Sequence, residues 1–432
     1  MNNMLNIPEM IDFYNFHLQK KLLPFWLDRS IDYAYGGYYT CFDNTGSKLA
    51  SFDKYTWSQG RMVWILSKLS CMKNDTLSDS DRKRFIELAG LGAKFLMKNC
   101  LLENGNCTFI MDRKGKPKLG PNSNEYDTSI FADAFVVCGL SMYARATSDK
   151  STLDFTIKVY KSIIRRIDNN TFKTAPYPDP DGYKSHGLYM VVLNISEELD
   201  DALGLFNDAE YKDIKILVKS KMKSSLDEIT GNFIRKDGTL LEMLGKDNEE
   251  KNTLLGRYTN PGHSIEDMWF VIHAAVRFGR ADYIETACKT VKKVFEIGWD
   301  KEYGGLLLFA DRSGGTPKGS TTGIVGSEML KKVQNDWDSK LWWPHSESLY
   351  TTLLCYEKSQ DLNFLELYKK SYDYTFKTFP NPDPSVGEWI QIRNRLGLPV
   401  QKVVALPVKD PYHIMRNVIL IIELLYRMLE LN

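Results

Sequence analysis

The chain has 432 residues with 56 Lys plus Arg against 55 Asp plus Glu, a formal charge of +1 that lacks the basic excess a nucleic-acid or acidic-membrane partner demands. A hydrophobic share of 43% with 23 Tyr, 21 Phe and 9 Trp excludes disorder and suffices for a large core. The seven cysteines are scattered without a C-x-x-C pair, the start Met1 to Pro8 has no leader-like apolar run, and no stretch reads as a membrane span; a reduced, cytoplasmic protein is expected.

Period-3.6 patterning predicts about a dozen helices in chain order, near 8–27, 56–73, 79–99, 127–147, 151–168, 185–204, 208–226, 262–279, 281–297, 343–359, 361–378 and 411–430. Short aromatic or β-branched runs ending in turn residues interrupt them. Tyr35-Gly36-Gly37-Tyr38 leads to Asp43-Asn44-Thr45-Gly46, and Tyr303-Gly304-Gly305-Leu306 leads to Asp311-Arg312-Ser313-Gly314. Segments 104–115, 231–238 and 387–397 repeat the theme, and each predicts a small β-hairpin. Helix pairs with inserted hairpins at a rough period of sixty to eighty residues form an internal repeat, which predicts an all-α (α/α)6 barrel with short hairpins in the loops at one end. No Pro-, Gly- or Ser-rich linker divides residues 1–432, so a single domain is expected; an open α-solenoid would share the periodicity without closure.

Chemistry-bearing residues cluster where alternate helices begin: Arg61 after Tyr55-Thr56-Trp57-Ser58-Gln59-Gly60, then His186, His263 after Asn260-Pro261-Gly262, His345 after Trp342-Trp343-Pro344, and His413 after Asp410-Pro411-Tyr412. Four of the six histidines lie in these starts. Alternate helices running the same way bring such N-termini to one end of a ring, where free N–H groups and dipole ends favour oxygen-rich ligands. A lone histidine there is more readily a cap or a satisfied core ring, and four together point to proton transfer near neutral pH. His17 and His273 are assigned to structure. His263 with Glu266 and His345 with Glu347 match no zinc spacing, no Ser-nucleophile elbow or P-loop is present, and no metal or cofactor is expected.

At these segments the chain resembles the N-acylglucosamine 2-epimerase family. Asp53 to Arg61 is similar to its Trp-x-Gln-Gly-Arg segment, Ile130 to Phe135 to its third segment, and Asn260-Pro261-Gly262-His263-Ser264-Ile265-Glu266 to Asn-Pro-Gly-His-x-x-Glu. Lys340 to Glu347 is similar to Lys-x-Trp-Trp-x-x-x-Glu, and Pro411-Tyr412-His413-Ile414-Met415-Arg416 to Pro-Phe-His-x-x-Arg. The resemblance implies the same barrel and an isomerase that abstracts the C2 proton of a sugar through an enediolate, with N-acetylglucosamine and N-acetylmannosamine as the foremost pair. It implies His263 and His413 as the catalytic histidines, Arg61 at the sugar oxygen, and Glu266 and Glu347 as supports or hydroxyl ligands. It also implies a nucleotide effector and a homodimer, although no nucleotide motif is visible.

His186 resembles a histidine of the disaccharide-epimerase and mannose-isomerase branches, whereas the following Gly187 to Asn194 looks closer to the acylglucosamine branch. Mannose, glucose or cellobiose 2-epimerisation and aldose–ketose isomerisation are therefore the alternative activities. Tyr55, Asn194 and Arg416 are expected to touch substrate, and one of His186, His345 or His413 to open the sugar ring. Trp57, Trp343 and Trp389 are assigned equally to stacking on sugar or filling the core. An inverting glycosidase using two of Asp127, Asp133, Glu266 and Glu347 and a non-catalytic sugar binder are the readings of other classes.

Overall fold

A computed structural model describes residues 6–121, 123–206 and 209–430. The chain's first residues, on which the expected lack of a leader rests, and the predicted helix start at 208 lie outside them. The helices are α1 (Ile7–Phe16), running through a π-helical stretch His17–Leu22 into α2 (Leu23–Arg29), then α3 (Thr56–Ser70), α4 (Asp79–Asn99), α5 (Ile130–Thr147), α6 (Lys150–Asp168), α7 (His186–Leu203) and α8 (Lys212–Glu228). There follow a short α9 (Leu254–Arg257), α10 (Pro261–Phe278), α11 (Ala281–Gly298), α12 (Glu328–Asp336), α13 (Trp342–Ser359), α14 (Asn363–Thr378) and α15 (Tyr412–Glu430). The two short helices α9 and α12 were not anticipated, since neither is long enough to show a period.

α3, α5, α7, α10, α13 and α15 each pack on the next, and α15 returns to α3, so the inner ring is closed. The solenoid alternative fails at that contact. Burial separates the two rings: α6 buries Leu153, Ile157, Tyr160, Ile163 and Ile164 along one face, whereas α10 and α13 are buried on nearly every side. α5 meets the length and apolarity of a membrane span, contrary to the expectation from sequence, and it lies as an inner helix packed between α3 and α7.

Each predicted hairpin segment closes on a local antiparallel bridge or strand pair, and pairings between distant segments are added to these. Strands of two or three residues that lead into inner helices pair with segments from the loop after the following outer helix: β1 (Lys54–Tyr55) with β2 (Ile110–Met111), β4 (Tyr183–Ser185) with β5 (Met243–Gly245), β6 (Tyr258–Thr259) with β7 (Ala310–Asp311), and β8 (Lys340–Leu341) with β9 (Ile392–Arg393). Only β2 and β3 (Pro117–Lys118) make a hairpin of named strands, while the Gly-Gly turns close on single bridges such as Ile31 to Tyr38 and Trp299 to Leu306. Those turns are clamped in a repeated way. Buried Lys54 donates to Asp32 at 2.9 Å and to the Gly36 carbonyl, and buried Lys340 donates to Asp300 at 3.0 Å and to the Gly304 carbonyl. One lysine ahead of an inner helix thus ties down the preceding turn in both repeats.

The same crossings satisfy the helix starts. Thr56, Ile130, His186 and Trp342 donate their backbone N–H to Phe109, Lys173, Glu242 and Gln391 carbonyls at 2.8–3.1 Å. No side-chain cap is needed there, and the first turns remain clear at the loop end of the ring. α10 uses Pro261 at its first turn and an Asn260 side-chain cap instead.

Candidate active site

The first turns of all six inner helices open on one cavity of about 300 Å³. α3 contributes Trp57 and Arg61, α5 Phe131 and Phe135, and α7 Met190 and Asn194. α10 supplies His263 and Glu266, α13 supplies Trp343, and α15 supplies His413 and Arg416. Residues separated by up to 359 positions therefore share one space, as the periodicity of polar helix starts predicts.

Each of the two cavity histidines is held by a carboxylate at Nδ1. His263 meets Glu242 Oε2 at 3.0 Å, and His413 meets Glu347 Oε1 at 2.8 Å. An ionised carboxylate only accepts, so it fixes a proton on Nδ1 and leaves Nε2 as the nitrogen that takes up or gives a proton. Trp343 packs on both rings, with centroids 5.3 Å from His263 and 5.8 Å from His413. Its position depends on Gly262, because a Cβ there would stand 2.3 Å from the Trp343 ring.

Arg61 donates from Nη2 to His413 Nε2 at 3.2 Å and from Nη1 to Asp410 Oδ1 at 3.1 Å. A guanidinium has no acceptor, so this contact asks for a lone pair on Nε2 of His413, the tautomer with its proton on Nδ1. Phe135 covers the guanidinium at 4.1 Å, and Trp57 flanks it at 5.1 Å. That platform requires α3 and α5 to touch through glycine: a Cβ on Gly60 would lie 2.0 Å from the Phe135 carbonyl oxygen, and one on Gly139 2.2 Å from that of Gly60.

Arg416, 1% exposed, pairs with both Glu266 and Glu347. Burial pushes the Glu347 carboxyl up, but Arg416 and His413 outweigh it and hold the group down at about 2. Glu242 is likewise pushed up by burial and pulled by His263 and His186 to about 2. Both carboxylates stay ionised behind their histidines, an arrangement suited to proton abstraction at a carbon next to a carbonyl, with Arg61 beside the developing oxyanion.

The family model for N-acylglucosamine 2-epimerase matches residues 37–417. The chain belongs to the N-acylglucosamine 2-epimerase family. It is thus an epimerase, an isomerase acting on carbohydrates. The bovine N-acylglucosamine 2-epimerase is 28% identical over 418 residues, covering 95% of this chain and 90% of that protein. The cellobiose 2-epimerase of Spirochaeta thermophila DSM 6192 superposes with a TM-score of 0.74 at 15% identity, covering 99% of this chain and 100% of that one. That of Bacillus thermoamylovorans B4167 gives 0.73 at 18% identity over 96% and 99% of the two chains. These superpositions establish the (α/α)6 barrel.

Within this epimerase fold, several residues expected to touch substrate do not line the cavity. Trp389 is fully buried between Phe379, stacked at 5.7 Å, and His17, to whose Nε2 it donates at 2.8 Å. His345 is fully buried, donates from Nδ1 to the Leu341 carbonyl at 2.6 Å and accepts the Leu306 N–H at 2.9 Å. Both of its nitrogens are spent, and burial drives its pKa down to about 3, so it staples α13 to the preceding loop and opens no sugar ring. Tyr55 packs in a small cluster with Cys41, Phe109, Ile110 and Ala132. His186 is 0% exposed and lies behind Glu242. Glu347 supports His413 from beneath, without lining the cavity.

The glycosidase reading loses its carboxylate pair. Asp133 is buried against Arg166 and the Cys107 N–H, Asp127 is bonded to Asn104 and Asn106, and Glu266 and Glu347 share Arg416. Glu242 and Asp410 escaped sequence reasoning. Glu242 sits in a loop with no periodic or motif signal, and only the β4–β5 pairing carries it to His263; Asp410 stood in plain view before Pro411, and its bonds to Arg61 and Trp342 Nε1 required the closed ring. His186, Glu242 and His263, and also Glu266, Glu347 and His413, place ligand-capable atoms within 4.8 Å of one another, but Arg416 already occupies the charge centre of the second group.

Proposed function

We propose that this protein inverts C2 of an N-acylated glucosamine through an enediolate, with His263 and His413 as the two acid–base groups and Arg61 at the carbonyl oxygen. The observation that carries the reading is the pair of carboxylate-held imidazoles, both packed on Trp343, in one cavity with Arg61 bonded to one of them. One Nε2 removes the C2 proton from the open-chain aldose as its electron pair moves onto the C1 oxygen. The other ring enters the step with a proton on Nε2 as well as Nδ1 and gives the Nε2 proton to the opposite face as the carbonyl reforms, while the first ring keeps the proton it removed, so no net oxidation occurs and the substrate carbonyl is the electron sink. Trp57 and Trp343 supply flat surfaces at the cavity, Asn194 and Glu266 polar contacts. Met190, Met243, Leu308 and Phe309 are apolar residues of the cavity lining, which suit an N-acyl methyl group better than a bare hydroxyl. The bovine relative's name agrees with that substrate.

The test is proton NMR in D2O with N-acetylglucosamine, N-acetylmannosamine, mannose, glucose, fructose and cellobiose. Deuterium entering C2 of N-acetylglucosamine with appearance of N-acetylmannosamine is the expected outcome; exchange confined to an unacylated sugar moves the substrate to another branch, and no exchange anywhere ends the enediolate reading. A single catalytic domain, a nucleotide effector, a homodimer and a cytoplasmic location remain part of this proposal. Seven free cysteines favour a reducing compartment, and sedimentation with and without ATP tests the assembly and the effector.

A further inference from the structure

Behind His263 runs a second row of buried groups that the proposed reaction does not touch. Glu242 spends Oε2 on His263, while its Oε1 lies 3.6 Å from Nδ1 of His186, and neither of those two atoms has another hydrogen-bond partner. On the far side, Nε2 of His186 lies 2.8 Å from Oδ2 of Asp267. The side chains of His186 and Asp267 are 0% exposed and that of Glu242 is 5%. Among the described residues no Lys or Arg pairs with Glu242 or Asp267. Two buried carboxylates thus face one imidazole, and each ring nitrogen has a proton to give only if the ring is the doubly protonated cation.

The opposite base shows the same layout with a permanent cation. Glu347 holds His413 Nδ1, Arg416 stands on its other side, and Glu266 backs Arg416. His186 and Asp267 stand to Glu242 as Arg416 and Glu266 stand to Glu347.

We propose that His186 is a positioning residue: a buried imidazolium, anchored by Asp267, that keeps Glu242 ionised and aimed at Nδ1 of His263. The inference rests on the reading of His263 as a base at C2. The remaining groups facing this row strengthen the demand for a cation. Asp179, which accepts the Ser185 N–H, and the Tyr258 phenol face Glu242, while Glu266 and Glu197 face Asp267, with Arg277 beyond Glu197. Burial lowers the His186 pKa, but Asp267 and Glu242 carry it to about 10.

Nitrogen-15 NMR of histidine-labelled wild-type protein reads the ring directly, because only six histidines are present. One ring protonated on both nitrogens from pH 6 to 9, and lost in His186→Gln, is the expected result; a singly protonated His186 at pH 7 overturns the proposal. In His186→Gln, the His263–Glu242 pair loses its counter-cation and binds a proton more tightly, so the acidic limb of the kcat/KM profile moves up by ~1 pH unit or more. A limb that stays in place while kcat or thermal stability falls marks a merely structural ring and overturns the proposal. If the variant does not fold, the wild-type spectra decide. Undiminished conversion between the C2 epimers in His263→Ala would instead remove the base assignment, with the doubly protonated His186 signal unaffected.

Discussion

Nη2 of Arg61 lies 3.2 Å from Nε2 of His413, although 352 positions separate them. Because guanidinium only donates, the contact favours a lone pair on His413 Nε2 and, in the proposed reaction, sets a fixed positive charge beside the oxygen that gains negative charge on deprotonation.

Arg61→Lys is accordingly not conservative: lysine lacks the planar fork that reaches His413 and Asp410 together. The variant is expected to lose roughly 100- to 1,000-fold in kcat for C2 exchange. Steady-state kinetics by the D2O assay check this, and a loss appearing only in KM would assign Arg61 to ground-state binding.

Arg416 neutralises Glu266 and Glu347 within the barrel, so Arg416→Met leaves two buried carboxylates without their cation. Destabilisation of roughly 3–5 kcal/mol is expected. Urea unfolding at pH 7 measures it, and an unchanged midpoint would show that water reaches the pair.

Gly262→Ala tests how Trp343 is placed. The new methyl meets the indole at 2.3 Å and pushes it off its seat against His263 and His413, while alanine suits the helix start no worse than glycine. Loss of about 10- to 100-fold in kcat/KM is expected with folding retained. Wild-type kinetics in this variant would free Trp343 from any role in turnover.

Stability falls on acidification before most carboxylates titrate. Burial is the main cause that lowers His17 to about 4 and His273 and His345 to about 3. The unfolded chain, with ordinary values near ~6.5, therefore takes up protons first, and stability present above that pH is lost below it at ~1.4 kcal/mol per unit for each ring. Glu242 and Glu347, both held at about 2, add a loss as pH falls from ~4.3 toward that value. His186 acts in the opposite sense, since its contribution is complete below ~6.5 and disappears as pH rises through about 10. Urea midpoints should decline from pH 7 to 5, and a flat profile there would mean that the three rings are hydrated.

The helices that build both rings were legible because burial is periodic along them: α4 and α15, for example, begin and end within one residue of the expected bounds. The placement of His263, His413 and Arg61 followed from the same periodicity, since a polar first turn on an otherwise apolar inner helix has only the open end of the ring to face. The hairpin turns were legible from their Gly, Asn and Asp residues and close on local bridges, but the longer-range pairings were not, because a two-residue strand carries too little pattern to name its partner, which here lies across an intervening helix pair.

Residue type and spacing alone determined the helix pairs, the histidine-bearing starts and the family of this chain. Tertiary structure decided which polar residues work together. Trp389 and His345 read like Trp343 and His413 in sequence, yet the first two point into packed contacts and the second two onto the cavity. Glu242 carried no local signal at all. A side chain's partner is set by which loop crosses its helix start, and that is fixed by closure of the ring through contacts between segments far apart in the chain.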